Sequence, residues 1–138
     1  MSGHRTAWVA FGSNLGDRDQ WLRQGMDALA ALPGIRVRAV AGPLETSPLG
    51  GLDQPTYRNA MMRVEWPGSA ADLLAACHGI EEDAGRDRSG HWGSRTLDLD
   101  LVRFDGELCD RPDLTLPHPG LRDRAFWAAQ LAELEQHD

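Results

Sequence analysis

The sequence predicts an α+β fold in which helices pack on an antiparallel sheet. Segments with strand periodicity and segments with helical periodicity follow one another along the chain, and Gly- and Pro-bearing turns separate them. The length of 138 residues suits one domain, residues 1–138, with a real core and no room for a second. With 41% apolar and 25% charged residues, the composition is that of an ordinary globular protein.

Thr6 to Phe11 is short and apolar and ends at Gly-Ser-Asn, a buried strand. Asp17 then caps a helix in which Trp21, Leu22, Met26, Leu29 and Leu32 recur at helical spacing until Pro33-Gly34 stops it. From Ile35 to Leu44, apolar Ile35, Val37 and Ala39 alternate with Arg36 and Arg38, which predicts a half-buried strand. The Pro- and Gly-rich stretch Thr46 to Thr56 is a long loop, and such loops in compact domains are often functional. Asn59 to Trp66 gives a third strand. A helix follows from a Ser69-Ala70-Ala71-Asp72 capping-box variant, with Leu73, Cys77, Ile80 and Ala84 as its inner stripe and Gly85 at its end. After an arginine-rich loop, Arg86 to Ser94, a strand runs from Thr96 to about Phe104, and a last helix from Asp123 to Glu135. Strand, helix, strand, strand, helix, strand is the split βαβ order of the ferredoxin-like βαββαβ sandwich, with the helices expected on one face.

Several classes of chemistry are excluded early. All fourteen basic residues are arginine, so a P-loop lysine, a Schiff-base lysine and a kinase-type strand lysine are all missing. Phosphate chemistry here rests on arginine, metal and backbone. The net charge of −7 without a basic run argues against nucleic acid. Cys77 and Cys109 lack neighbouring ligands at zinc spacing and are expected to be reduced and structural. No apolar run has the length of a membrane span or the form of a signal peptide, so a cytoplasmic protein without membrane contact is expected.

The strongest local signal is Thr96-Leu97-Asp98-Leu99-Asp100-Leu101. Strand alternation puts Asp98 and Asp100 on one face and the leucines on the other. Two neighbouring carboxylates repel each other, and a divalent ion such as magnesium, carrying its own waters and substrate phosphates, removes that repulsion. An edge strand kept soluble by its acids explains this stretch equally well. Arg86, Arg88 and Arg95 flank the acids and add fork-shaped phosphate binders, although surface salt bridges would use them too. Trp92 between glycines could cover a ligand or anchor its loop. Tyr57 and Asn59 share a face, where a ring and a carboxamide could stack on a heterocycle and bind its edge; core packing and a turn are their common uses. His118, held between Pro117 and Pro119, suits a phosphate or base contact or a structural hydrogen bond. Gly12-Ser13-Asn14-Leu15-Gly16 is a strand-to-helix junction, here taken as a tight structural turn.

In their order, FGSNLGDR at 11–18, ETSPLGGLDQPTYRNA at 45–60, GRDR at 85–88, WGSRTLDLDLV at 92–102, LPHP at 116–119 and RAF at 124–126 resemble the 6-hydroxymethyl-7,8-dihydropterin pyrophosphokinase family. The resemblance covers nearly the whole chain and implies transfer of ATP's terminal diphosphate to the pterin hydroxymethyl oxygen, leaving AMP, in folate biosynthesis. It implies that Asp98 and Asp100 hold two Mg2+ ions while Arg86 and Arg95 steady the diphosphate. It implies that Tyr57 and Phe126 sandwich the pterin, that Asn59 and backbone near Thr46 bind its edge, and that the loops 46–56 and 86–94, the second carrying Trp92, close over the substrates. Arg88, Leu101, Thr115, His118 and Arg124 would hold ATP. Leu44 stands where the family usually has tyrosine, His91 where arginine is usual, and Ser94 and Gln130 where prolines are. A monomer is expected. The alternatives are a divergent paralogue with an altered pterin or low activity, and a ferredoxin-like nucleotide sensor.

Overall fold

The computed structural model describes residues 4–14, 16–46, 56–84 and 97–135. Strand β1, Arg5–Ser13, lies at the centre of the sheet and is buried along most of its length. Helix α1, Arg18–Ala30, starts where the Asp17 carboxylate accepts the Gln20 N–H at 3.2 Å. It ends before Gly34, whose φ of +80° is the left-handed conformation a stop glycine supplies. Strands β2, Arg36–Thr46, and β3, Tyr57–Trp66, follow. In helix α2, Ala70–Asp83, the Ser69 hydroxyl accepts the Asp72 N–H, and Leu73, Cys77 and Ile80 face inward as their spacing predicts.

Strand β4, Asp98–Phe104, completes a four-stranded antiparallel sheet of order β2-β3-β1-β4, the ferredoxin-like arrangement. A small hairpin, β5 Cys109–Arg111 and β6 Leu114–Leu116, was not predicted. A 3-10 turn, Pro119–Arg122, leads into helix α3, Ala125–Glu135. No helix among the described residues is long and apolar enough to cross a membrane.

Helices α1 and α2 of the βαββαβ unit share one face, as expected, and the tail helix α3 covers the other. Ala7, Val9, Phe11, Ala60, Met62 and Val64 pack with Leu22, Leu29, Leu73 and Cys77 under α1 and α2. Ala10, Ala41, Met61 and Val102 pack on the other side of the sheet with Trp127, Leu131 and Leu134 of α3. One expectation is corrected: the alternation expected for Ile35, Val37 and Ala39 fails. Ile35 joins the first cluster, Ala39 and Ala41 the second, and Val37 is exposed. The register of β2 against β3 shifts between Val37 and Ala39 and again between Ala41 and Leu44, and each inserted residue reverses the side to which the following ones point.

Candidate active site

Register brings distant residues into one row across the sheet. Leu44 pairs with Asn59, Asn59 with Gly12, and Gly12 with Asp98. The next pairs inward along β1 are Ala10 with Met61 and Ala10 with Asp100, on the face that carries α3. Asp98 and Asp100 therefore stand together on the α3 face, half-buried, while Leu97, Leu99 and Leu101 are buried under α1 and α2. The predicted split of acids from leucines holds. At about 4.8 Å per strand, Asn59 and Asp98 lie about 10 Å apart with only Gly12 between them. A Cβ added at Gly12 would sit 3.3 Å from Asn59 Oδ1 and 3.5 Å from the Tyr57 ring. Gly12 is thus the floor of a gap flanked by an amide, an aromatic ring and a carboxylate, a role that the sequence reading of this stretch as a turn missed.

The amide side of that gap is tied together. Asn59 Nδ2 donates to Thr46 Oγ1 at 2.6 Å, and Tyr57 pairs with Thr46 across the ends of β2 and β3. Arg18 clamps the same two strand ends, donating to the Thr56 carbonyl and hydroxyl at 2.9 and 3.0 Å and to Glu45 Oε1 at 3.1 Å. Phe126, at the start of α3, packs edge-on against Trp127 with ring centres 6.3 Å apart, on the same face of the sheet.

On the carboxylate side, the segment after β6 is fastened to β4, where the His118 N–H donates to the Val102 carbonyl at 2.9 Å. His118 Nδ1 accepts the Gly120 N–H at 2.9 Å, so a neutral ring carries its proton on Nε2. That nitrogen lies 3.4 Å from Asp100 Oδ1. Trp127 braces the imidazole edge-on at 5.0 Å and takes the Arg124 guanidinium over its ring at 4.6 Å. A side chain at Gly120 would collide with that guanidinium, so the glycine leaves Arg124 its place. Trp127 is buried and looks like simple core in the sequence, yet it holds two predicted ATP-binding residues. Asp100, Leu101, Thr115 and His118 line a cleft of about 250 Å³ bounded on its far side by Leu74 and His78 of α2. Arg86, Arg88, Trp92 and Arg95 lie outside the described residues, as do His91, Ser94 and the loop segments 47–55 and 85–96.

Behind the acids, the buried Glu81 accepts the Leu99 N–H at 2.8 Å, which caps the open edge of β4 between the two aspartates. Burial first, then the charges of Glu81 and Asp100, push the Cys77 thiol up to about 12. Cys77 is therefore an inert core thiol.

The donor set fits a hard divalent ion. Asp98 and Asp100 offer carboxylate oxygens, and magnesium keeps waters and takes phosphate oxygens beside one or two carboxylates.

Residues 8–136 match the sequence model of 7,8-dihydro-6-hydroxymethylpterin-pyrophosphokinase, HPPK. The chain belongs to the HPPK family. It is 37% identical over 130 residues to a 2-amino-4-hydroxy-6-hydroxymethyldihydropteridine pyrophosphokinase of Bacillus subtilis, covering 94% of this chain and 78% of that protein. The protein of the same name from Pseudomonas aeruginosa is 39% identical over 127 residues, covering 92% and 78%. That from Methylorubrum extorquens is 38% identical over 128 residues, covering 93% and 81%. The HPPK match runs from β1 to the end of α3, so it takes in every element that carries the row and the cleft.

Proposed function

We propose that the chain transfers the terminal diphosphate of ATP to the hydroxymethyl oxygen of 6-hydroxymethyl-7,8-dihydropterin, giving AMP and the pterin diphosphate, across the gap floored by Gly12. It is an ATP-dependent diphosphotransferase of folate biosynthesis, as its family membership implies. The observation that carries the residue assignment is the register row, which aligns an amide able to bind a heterocycle edge with a carboxylate able to hold a phosphate-bound metal.

Asn59, oriented by Thr46, binds the edge of the pterin, and Tyr57 and Phe126 cover its two faces. Asp98 and Asp100 would hold two magnesium ions, which would supply positive charge to offset that of the phosphates. His118 holds Asp100 from the side and, with Thr115 and the Leu101 segment, lines the nucleotide's cleft, while Arg124, stacked on Trp127, adds positive charge for the nucleotide. Arg86 and Arg95 steady the diphosphate as it moves, Arg88 adds charge, and Trp92 closes over the substrates to exclude water. Residues 1–138 act as one domain and as a monomer.

The test is direct. Purified protein with ATP, magnesium and the reduced hydroxymethylpterin should form AMP and the pterin diphosphate. ATP bound without AMP formed would instead support a sensor or a paralogue with another pterin.

A further inference from the structure

We infer that Gln130 is a positioning residue that sets the width of the pterin slot by tethering α3 to the backbone of Asn59, an inference that rests on the proposed role of Asn59. Gln130 is fully buried among apolar neighbours on α3. Its Nε2 donates to the Asn59 carbonyl at 3.3 Å, and its Oε1 has no hydrogen-bond partner. A buried amide left half-satisfied costs free energy that Leu or Met at the same place would not. Packing alone therefore gives no reason for a carboxamide here.

The bond explains where the amide goes. Asn59 lies at the point where the β2–β3 register breaks between Ala41 and Leu44, and Pro43 in that break has no N–H to offer the ladder. Gly42 passes against the same spot with φ +93°, and a Cβ there would come 2.7 Å from the Asn59 carbonyl oxygen and 3.0 Å from Gln130 Nε2. Neither the backbone angle nor the space admits another residue. Gln130 thus supplies a side-chain donor at the break. Phe126 is one helical turn earlier on the same face of α3, so the tether fixes the separation of the ring that covers the pterin from the amide that binds its edge. Gln130 touches neither substrate and acts through Asn59.

Gln130→Met keeps the length without the donor, and Gln130→Leu removes the donor with a shorter, stiffer side chain. Kinetic constants for both substrates and thermal unfolding would be measured for each, alone and combined with Phe126→Ala. Loss of the tether should raise the pterin KM about three- to ten-fold, the equivalent of one hydrogen bond. The ATP KM should stay put, and the rise should shrink in the Phe126→Ala background, where no ring remains for the tether to place. The inference is overturned if the pterin KM does not move, if both KM values rise together as in general loosening, or if the effect persists undiminished beside Phe126→Ala. Should Asn59→Ala itself leave the pterin KM unchanged, the site reading falls and the inference with it.

Discussion

Gly12→Ala separates binding from folding. The strand backbone at Gly12 has no positive φ, so alanine brings no conformational strain, and a glycine replaced inside a strand gains roughly 0.5–1 kcal/mol. Against this, the new methyl stands 3.3 Å from Asn59 Oδ1, which must yield by a few tenths of an ångström. Yielding loosens the 2.6 Å bond from Asn59 to Thr46, a contact worth about 1 kcal/mol. The two terms nearly cancel, so the melting temperature should move by no more than about 5 °C. The pterin has no such compensation. The methyl occupies the floor between Asn59 and Asp98 and displaces the amide proposed to bind the ring edge, and the pterin KM should rise about ten-fold, equivalent to about 1.4 kcal/mol. Gly12→Val should be worse for the pterin. Steady-state AMP release at varied pterin and varied ATP, with unfolding curves beside it, decides the matter. An unchanged pterin KM, or a rise shared equally by ATP, would refute the placement of the pterin over Gly12.

Asp98→Ala or Asp100→Ala should lower turnover about a thousand-fold or more, with the unfolding curve little changed, because each removes a proposed ligand of the phosphate-binding metal; activity near the parent level at raised magnesium would sink the metal assignment. His118→Ala should raise the ATP KM about ten-fold and leave the pterin KM alone, since His118 lines the cleft beside Asp100 and not the amide side of the gap; a selective pterin effect would contradict that division. For Cys77 the folded thiol pKa lies above its unfolded value of 9.0, so the stability it contributes is complete below pH 9 and is lost as pH rises toward about 12. In the native protein at neutral pH a maleimide should label Cys109 alone, and denaturation should expose the second thiol; two labels on folded protein would refute the buried, protonated state.

Much of this was legible in the sequence because local chemistry wrote it. Asp17 and Ser69 announced α1 and α2, and the Leu-Asp alternation announced both the strand and its sidedness. The opposite placement of α3 had a signal too. Ala7 to Phe11 and Ala60 to Met62 are apolar without alternation, the pattern of strands covered on both faces. The bulges of β2 had none that residue types can carry, because an inserted residue changes which side the following ones face without changing what they are. Gly12 and Gln130 escaped for opposite reasons. A glycine marks a ligand gap only once its cross-strand neighbours are known, and a glutamine on a helix looks like surface until the sheet edge it meets is known.

The register behind the site is held far more strongly than by the site itself. Slipping β4 by one residue would turn Asp98 and Asp100 toward α1 and α2 and bring Leu97, Leu99 and Leu101 onto the α3 face. Those leucines are at most 3% exposed, and releasing three such side chains costs about 5–9 kcal/mol before either carboxylate is desolvated. That sum is comparable to the whole folding free energy of a domain. The slip would also take the Leu99 N–H away from the Glu81 carboxylate. The acids consequently need no favourable contact of their own to stay in the row with Gly12 and Asn59. Hydrophobic burial on one face of β4 holds two mutually repelling carboxylates side by side on the other, where their charge is available to a phosphate-bound cation.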